Sequence, residues 1–159
     1  MIDFKVGFGY DIHRLIKGDH LLLATVKVTS DKKIDAHSDG DIVLHSLSQA
    51  ILSALGKEDI GSYFPDTLDK TKNMPSVDIL NLALSMLKEE EYQLNNIVID
   101  IVLERPKLKD YKEEIKNKLS SLLTIDKKKI AINANTHEKV DSIGKNKAIV
   151  CYSVVSIIK

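Results

Sequence analysis

Ala36–Gly56 reads AHSDGDIVLHSLSQAILSALG, a polar run followed by an apolar one. Val43, Leu44, Leu47, Ala50, Ile51, Ala54 and Leu55 recur at spacings of three and four, the period of an amphipathic helix. Ser38 and Asp41 have the spacing of a capping pair, and Gly56 is a natural stop. Upstream, Phe4–Leu15 has strand-formers in partial alternation, and Leu21–Thr29 reads as a second strand after Lys17-Gly18-Asp19, so the two are expected to form a hairpin. Downstream, EDIGSYFPDTLDKTKNMP (58–75) is longer than ordinary connections, as functional loops often are. A second helix is expected from a Ser76 cap to about Glu91, and a strand over Ile97–Leu103. That strand has apolar residues on both sides of Asp100, so both of its faces are expected to be covered. A third helix over Asp110–Leu123 and strands Ile130–Asn135 and Ala148–Ile158 complete the order β-β-α-α-β-α-β-β. This is an α+β domain, a mixed β-sheet with helices packed on one face.

At 159 residues the chain suits one domain, 1–159, with 43% hydrophobic and 29% charged residues. Basic and acidic residues number 23 each, so no overall field points to nucleic acid or a membrane surface. No stretch approaches the roughly 20 apolar residues that span a bilayer. The single cysteine, Cys151, lies in an apolar strand and reads as a small buried hydrophobe. The start, MIDFKVGFGYDIHR, lacks an apolar leader core, so a cytoplasmic setting is expected, or a plastid one if a leader has been removed.

Five polar clusters stand out. In a strand Asp11 and His13 point to one face and can converge on an ion; taken alone, a solvated strand end is the competing reading. His45 lies one turn into the first helix, four residues after Asp41, which is placed to orient its ring. Asp39 and Asp41 also suit the helix N-terminus. Asp59-Ile60-Gly61 with Phe64-Pro65-Asp66 offers a carboxylate for a diol and a glycine for close approach, or a plain proline-anchored turn. Glu104-Arg105-Pro106-Lys107-Leu108 ends the long strand with main-chain groups able to read a base edge, or is a basic turn without a ligand. Asn135-Thr136-His137-Glu138-Lys139 supplies a hydroxyl and an oxygen ligand for a hard cation; His137 reads better as a surface histidine than as a ligand.

In order, GFGYDIHR, AHSDGDIVLHSLSQAILSALG, DIGSYFPDT, ERPKL and the T-x-EK of NTHEK resemble the 2-C-methyl-D-erythritol 2,4-cyclodiphosphate synthase family. The resemblance implies a trimer-forming subunit, with active sites at the interfaces of a homotrimer. Asp11, His13 and His45 would hold zinc, and Glu138 would hold magnesium or manganese on a diphosphate. His37 and Thr136 would stabilise the transition state. Ser38 would touch phosphate, Asp59, Gly61, Phe64, Pro65 and Asp66 would line the substrate loop, and Leu103, Arg105, Pro106, Lys107 and Leu108 would recognise cytosine. The implied reaction converts 4-diphosphocytidyl-2-C-methyl-D-erythritol 2-phosphate to the cyclic diphosphate and CMP. The chain departs from the family at Gln49, usually Asp, at His137, and across Asp141–Ala148, where Lys145 replaces an arginine that lines an anion site on the trimer axis. Two other readings stay open: a zinc phosphohydrolase that activates water, and a trimeric binding protein without catalysis.

Overall fold

The computed structural model describes residues 2–65 and 74–159. Strands β1 (Phe4–Lys17), β2 (His20–Leu23), β3 (Val26–Thr29) and β4 (Lys32–Asp35) precede helices α1 (Ile42–Ala54), α2 (Ile60–Tyr63) and α3 (Ser76–Glu89). Then come β5 (Gln93–Val102), α4 (Lys112–Leu123), β6 (Ile130–Asn135), the single turn α5 (Asp141–Gly144) and β7 (Ala148–Ile158). Five strands form one sheet in the order β4-β1-β7-β5-β6, and β2 and β3 pair apart from it. Among the described strands only β5 and β6 pair in parallel, joined through α4, so the sheet is mixed.

The helices cover one face. Ile97, Ile99 and Ile101 of β5 and Cys151, Val155 and Ile157 of β7 meet Leu44, Leu47 and Ile51 of α1 and Ile115 and Leu119 of α4 in one buried core. Here β1 is pressed against α1 itself. A Cβ on Gly9 would stand 1.8 Å from the Ser46 carbonyl, and one on Gly7 1.9 Å from that of Ala50. Between α1 and β7 a buried polar stitch joins Ser46 Oγ to Ser153 Oγ at 2.8 Å, with Cys151 Sγ at 3.1 Å. Cys151 is fully buried, as its apolar run implied, and desolvation pushes its thiol up to about 12.

The opposite face is left uncovered by the described residues. Phe8, Tyr10 and Ile12 remain 53%, 46% and 47% exposed, beside exposed Tyr152 and Val154. Val98 and Asp100 are only half-buried, so β5 is covered on one face and not on two.

Several expectations fail for local reasons. The first two expected strands do not pair: β1 pairs with β4 and β7, and Leu21–Thr29 folds on itself about Ala24-Thr25. Both turn residues have positive φ, 50° and 65°, without a glycine. The buried Asp41 carboxylate accepts from their amides, from Ala24 N at 2.9 Å and from Thr25 N at 2.6 Å. It also accepts from Leu44 N at 3.2 Å, so Asp41, not Ser38, caps α1. Burial raises Asp41 from 3.8 to about 6 against the pull of those three amides. Gly56 (φ 68°) closes α1 as expected, its amide reaching Ser53 O. The α3 helix starts after Pro75, and Ser76, instead of capping it, bonds through N and Oγ to Asp39.

Candidate active site

Asp11 and His13 lie two apart on β1 and share its helix-covered face, where α1 presents His45. Asp11 Oδ2 stands 3.3 Å from His13 Nδ1 and 3.6 Å from His45 Nδ1, each side chain about one-fifth exposed (20%, 21% and 18%). Asp11 Oδ2 and His13 Nδ1 are buried without a hydrogen-bond partner, because the 3.3 Å approach is off the line of a hydrogen bond. Orphaned buried polar atoms are costly, and a shared cation relieves the cost. Two donors about 2.0–2.1 Å from a tetrahedral zinc lie roughly 3.3–3.4 Å apart, close to the two separations seen here. The set is only partly drawn together. The His13 and His45 rings are 6.3 Å apart and edge-on, and among the described residues no three His, Cys, Asp or Glu side chains form a finished metal-binding group. The Asp11 carboxylate raises His13, whereas burial lowers His45 and so favours its neutral ring, the form with a free lone pair.

Asp41 does not orient His45, since its oxygens serve the three amides above. Ser38 takes that place, with Oγ 3.2 Å from His45 Nε2. His37 and Ser38 follow β4 on a turn, and with His13, His45, Phe64 and Met74 they line a cavity of about 220 Å³. A smaller hollow of about 190 Å³ joins Tyr10, Asp11, His45, Gln49, Asp59 and Gly61. Asp59 caps α2, its Oδ1 accepting from Ser62 N and Oγ at 3.1 Å. Gln49 Oε1 accepts from Ile60 N at 3.1 Å, so this side-chain amide anchors the Asp59–Gly61 turn. Pro65 is half-buried beside this turn, and Asp66 lies outside the described residues.

The remaining expected residues form a second cluster. Parallel pairing of β5 and β6 brings Val102 level with Asn135, so both following segments leave the same sheet end. Leu103 N donates to Asn135 O at 3.0 Å. Leu103 and Leu108 are buried anchors, Pro106 is half-buried, and Arg105 and Lys107 are exposed. Thr136 Oγ1 donates to Glu138 Oε1 at 2.8 Å, leaving the rest of an exposed carboxylate for a hard cation. His137, 42% exposed, pairs with Asp141 at 3.0 Å, and Lys145 sits exposed just after α5. No hydrogen bond or ion pair among the described residues joins this cluster to Asp11, His13 and His45.

Fold and clusters together define a class: an α+β enzyme with two separate polar clusters, one of imidazoles and carboxylate, the other of a hydroxyl, a carboxylate and strand-end main chain. Known proteins make this specific. Residues 4–158 match the YgbB family. The chloroplastic 2-C-methyl-D-erythritol 2,4-cyclodiphosphate synthase of Catharanthus roseus is 41% identical over 159 residues, covering 100% of this chain and 67% of its own. The synthase of Prochlorococcus marinus is 40% identical, covering 98% and 95%. The Plasmodium falciparum IspF–CDP complex superposes with a TM-score of 0.86 at 34% identity, covering 98% of this chain and 96% of its own. The bifunctional IspDF of Campylobacter jejuni gives 0.94 at 36% identity, covering 99% of this chain and 43% of its own.

The chain belongs to the YgbB family, the 2-C-methyl-D-erythritol 2,4-cyclodiphosphate synthases. It is a lyase of non-mevalonate isoprenoid biosynthesis that forms the cyclic diphosphate and releases CMP.

Proposed function

We propose that Asp11, His13 and His45 hold one zinc and Glu138 one magnesium or manganese, in a site that two chains of a homotrimer build together. The observation that carries the zinc is the pair of orphaned atoms, Asp11 Oδ2 and His13 Nδ1, at ligand-to-ligand distance. The shared site is supported by the two unlinked polar clusters and by the uncovered patch of Phe8, Tyr10, Ile12, Tyr152 and Val154, larger than scattered surface apolars. Tyr152 packs on Phe8 and Tyr10 with ring centroids 6.3 and 5.5 Å apart, so the patch is continuous.

The 2-phosphate of the substrate attacks the β-phosphorus of its own diphosphate; the new P–O bond closes the ring as the bond from that phosphorus to the bridging oxygen breaks, and CMP leaves with that oxygen. A phosphate monoester is already charged about −1.5 to −2 at neutral pH, so the chain needs no general base to create the nucleophile. When bound, the two cations supply the charge that offsets repulsion between the phosphates. The chain supplies position. Asp59, Gly61, Phe64 and Pro65 bound the substrate pocket, and Ser38 meets phosphate. Main chain over Leu103, Arg105, Pro106, Lys107 and Leu108 reads the cytosine. His37 and Thr136 donate hydrogen bonds where charge builds at the attacked phosphorus. Holding both phosphates in line is worth up to roughly 7–11 kcal/mol in well-oriented intramolecular reactions. A reducing cytoplasmic setting suits the lone buried thiol, and the C. roseus relative is chloroplastic.

The test is incubation of the protein with 4-diphosphocytidyl-2-C-methyl-D-erythritol 2-phosphate and magnesium, with sedimentation of the same sample. A sedimenting trimer that yields CMP and cyclic diphosphate in equal amounts supports this reading. Inorganic phosphate or a linear monophosphate would favour water activation instead.

A further inference from the structure

We propose that Ser38 is a positioning residue for His45: its hydroxyl holds ring Nε2 and so commits Nδ1 to the side occupied by Asp11 and His13. This rests on the zinc site proposed above.

A neutral imidazole has one N–H and one lone pair, and only the lone pair can bind a metal. The two nitrogens of His45 face different partners. Nδ1 is 3.6 Å from Asp11 Oδ2, on the side of the orphaned atoms, and Nε2 is 3.2 Å from Ser38 Oγ. If Nδ1 gives its lone pair, Nε2 must carry the hydrogen and donate it to Ser38 Oγ. That oxygen is fixed from its other side, because Gly40 N donates to it at 3.2 Å. The turn that carries Ser38 back over α1 passes through Gly40 at φ 76°, a conformation that suits glycine.

With both lone pairs of Oγ engaged, by Gly40 N–H and Nε2–H, the serine proton is left to point elsewhere. The cavity beside it is lined by His13, His37 and Phe64, so the same hydroxyl can donate to a phosphate oxygen while accepting from His45. Orienting the ligand and touching substrate use different faces of one atom. Asp41, the alternative orienter by spacing, is excluded because its carboxylate is taken up by Ala24, Thr25 and Leu44.

The experiment compares zinc affinity, by competition with a chromophoric chelator, in wild type, Ser38→Ala, Ser38→Thr, Ser38→Val and His45→Ala. Loss of a group that orients a metal ligand typically weakens metal binding about 10–100-fold. Ser38→Ala and Ser38→Val should fall in that range, Ser38→Thr should stay near wild type, and among the Ser38 variants the Co²⁺-substituted spectrum should change only where the hydroxyl is lost. Thr and Val have the same shape, so their comparison survives any folding defect common to both. Wild-type affinity in Ser38→Ala and Ser38→Val, with affinity lost in His45→Ala, would overturn the positioning role and leave the zinc site standing. Wild-type affinity in His45→Ala as well would overturn the zinc site and this proposal with it.

Discussion

Gly9→Ala should empty the proposed metal site without touching Asp11, His13 or His45. The added Cβ would lie 1.8 Å from the Ser46 carbonyl oxygen and 2.6 Å from Ala50 N, both backbone atoms that no side-chain rotation can move. Reaching an ordinary contact of about 3.4 Å requires α1 to retreat by roughly 1.6 Å at Ser46. His45 is the preceding residue and stands 3.6 Å from Asp11 Oδ2, so that retreat opens the pair to as much as about 5 Å. Two donors each about 2.0–2.1 Å from one zinc cannot be more than about 4.2 Å apart, so the ion is lost. Overpacking a tight contact costs about 1–3 kcal/mol, and backbone against backbone belongs at the upper end. For a domain of this size about 3 kcal/mol lowers Tm by roughly 6–12 °C. Zinc per chain by elemental analysis, with thermal unfolding, measures both effects. Gly61→Ala is the control: its Cβ would meet only Asp59 Oδ1 at 3.4 Å, and stability should change by less than about 0.5 kcal/mol. A Gly9→Ala protein with one zinc per chain and wild-type Tm would refute the reasoning.

Asp41→Ala leaves three amides without their acceptor and should cost about 3 kcal/mol or more in urea unfolding. Burial raises Asp41 from 3.8 to about 6, so between those values the folded chain binds more protons than the unfolded one. The contribution of this carboxyl to stability therefore falls as pH rises through that window, and Asp41→Asn should remove that part of the slope. Cys151, its thiol pushed up to about 12 and fully buried, should resist alkylation in the native state, and Cys151→Ala should turn over at near wild-type rate. Phe8→Asp should sediment as a smaller species with reduced CMP release while keeping its zinc affinity, because the zinc set lies within one chain; a trimer of full activity would refute the shared site.

The helices were legible because their apolar spacing is local: α1, its Gly56 stop and most of α3 and α4 follow from periodicity and punctuation. What was not legible depends on distant residues. The Ala24-Thr25 turn carries no glycine or asparagine, and its support comes from Asp41, 16 to 17 residues away. Strand β4 has one large apolar residue, Ile34, and exists by pairing with β1. Asp11, His13 and His45 were singled out from residue type and family order, but what brings β1 close to α1, Gly7 and Gly9 lying against helix backbone, has no mark beyond two glycines in a strand. Ser38 was read as a cap and a phosphate contact. Its bond to His45 appears only once Gly40 turns the chain back.

The most direct test of the account measures zinc per chain and CMP release together in wild type and His45→Ala, with folding checked by circular dichroism. One zinc per chain with CMP release in wild type, and loss of both in a folded His45→Ala protein, is the predicted result. A folded, zinc-free His45→Ala protein that releases CMP at the wild-type rate would contradict it.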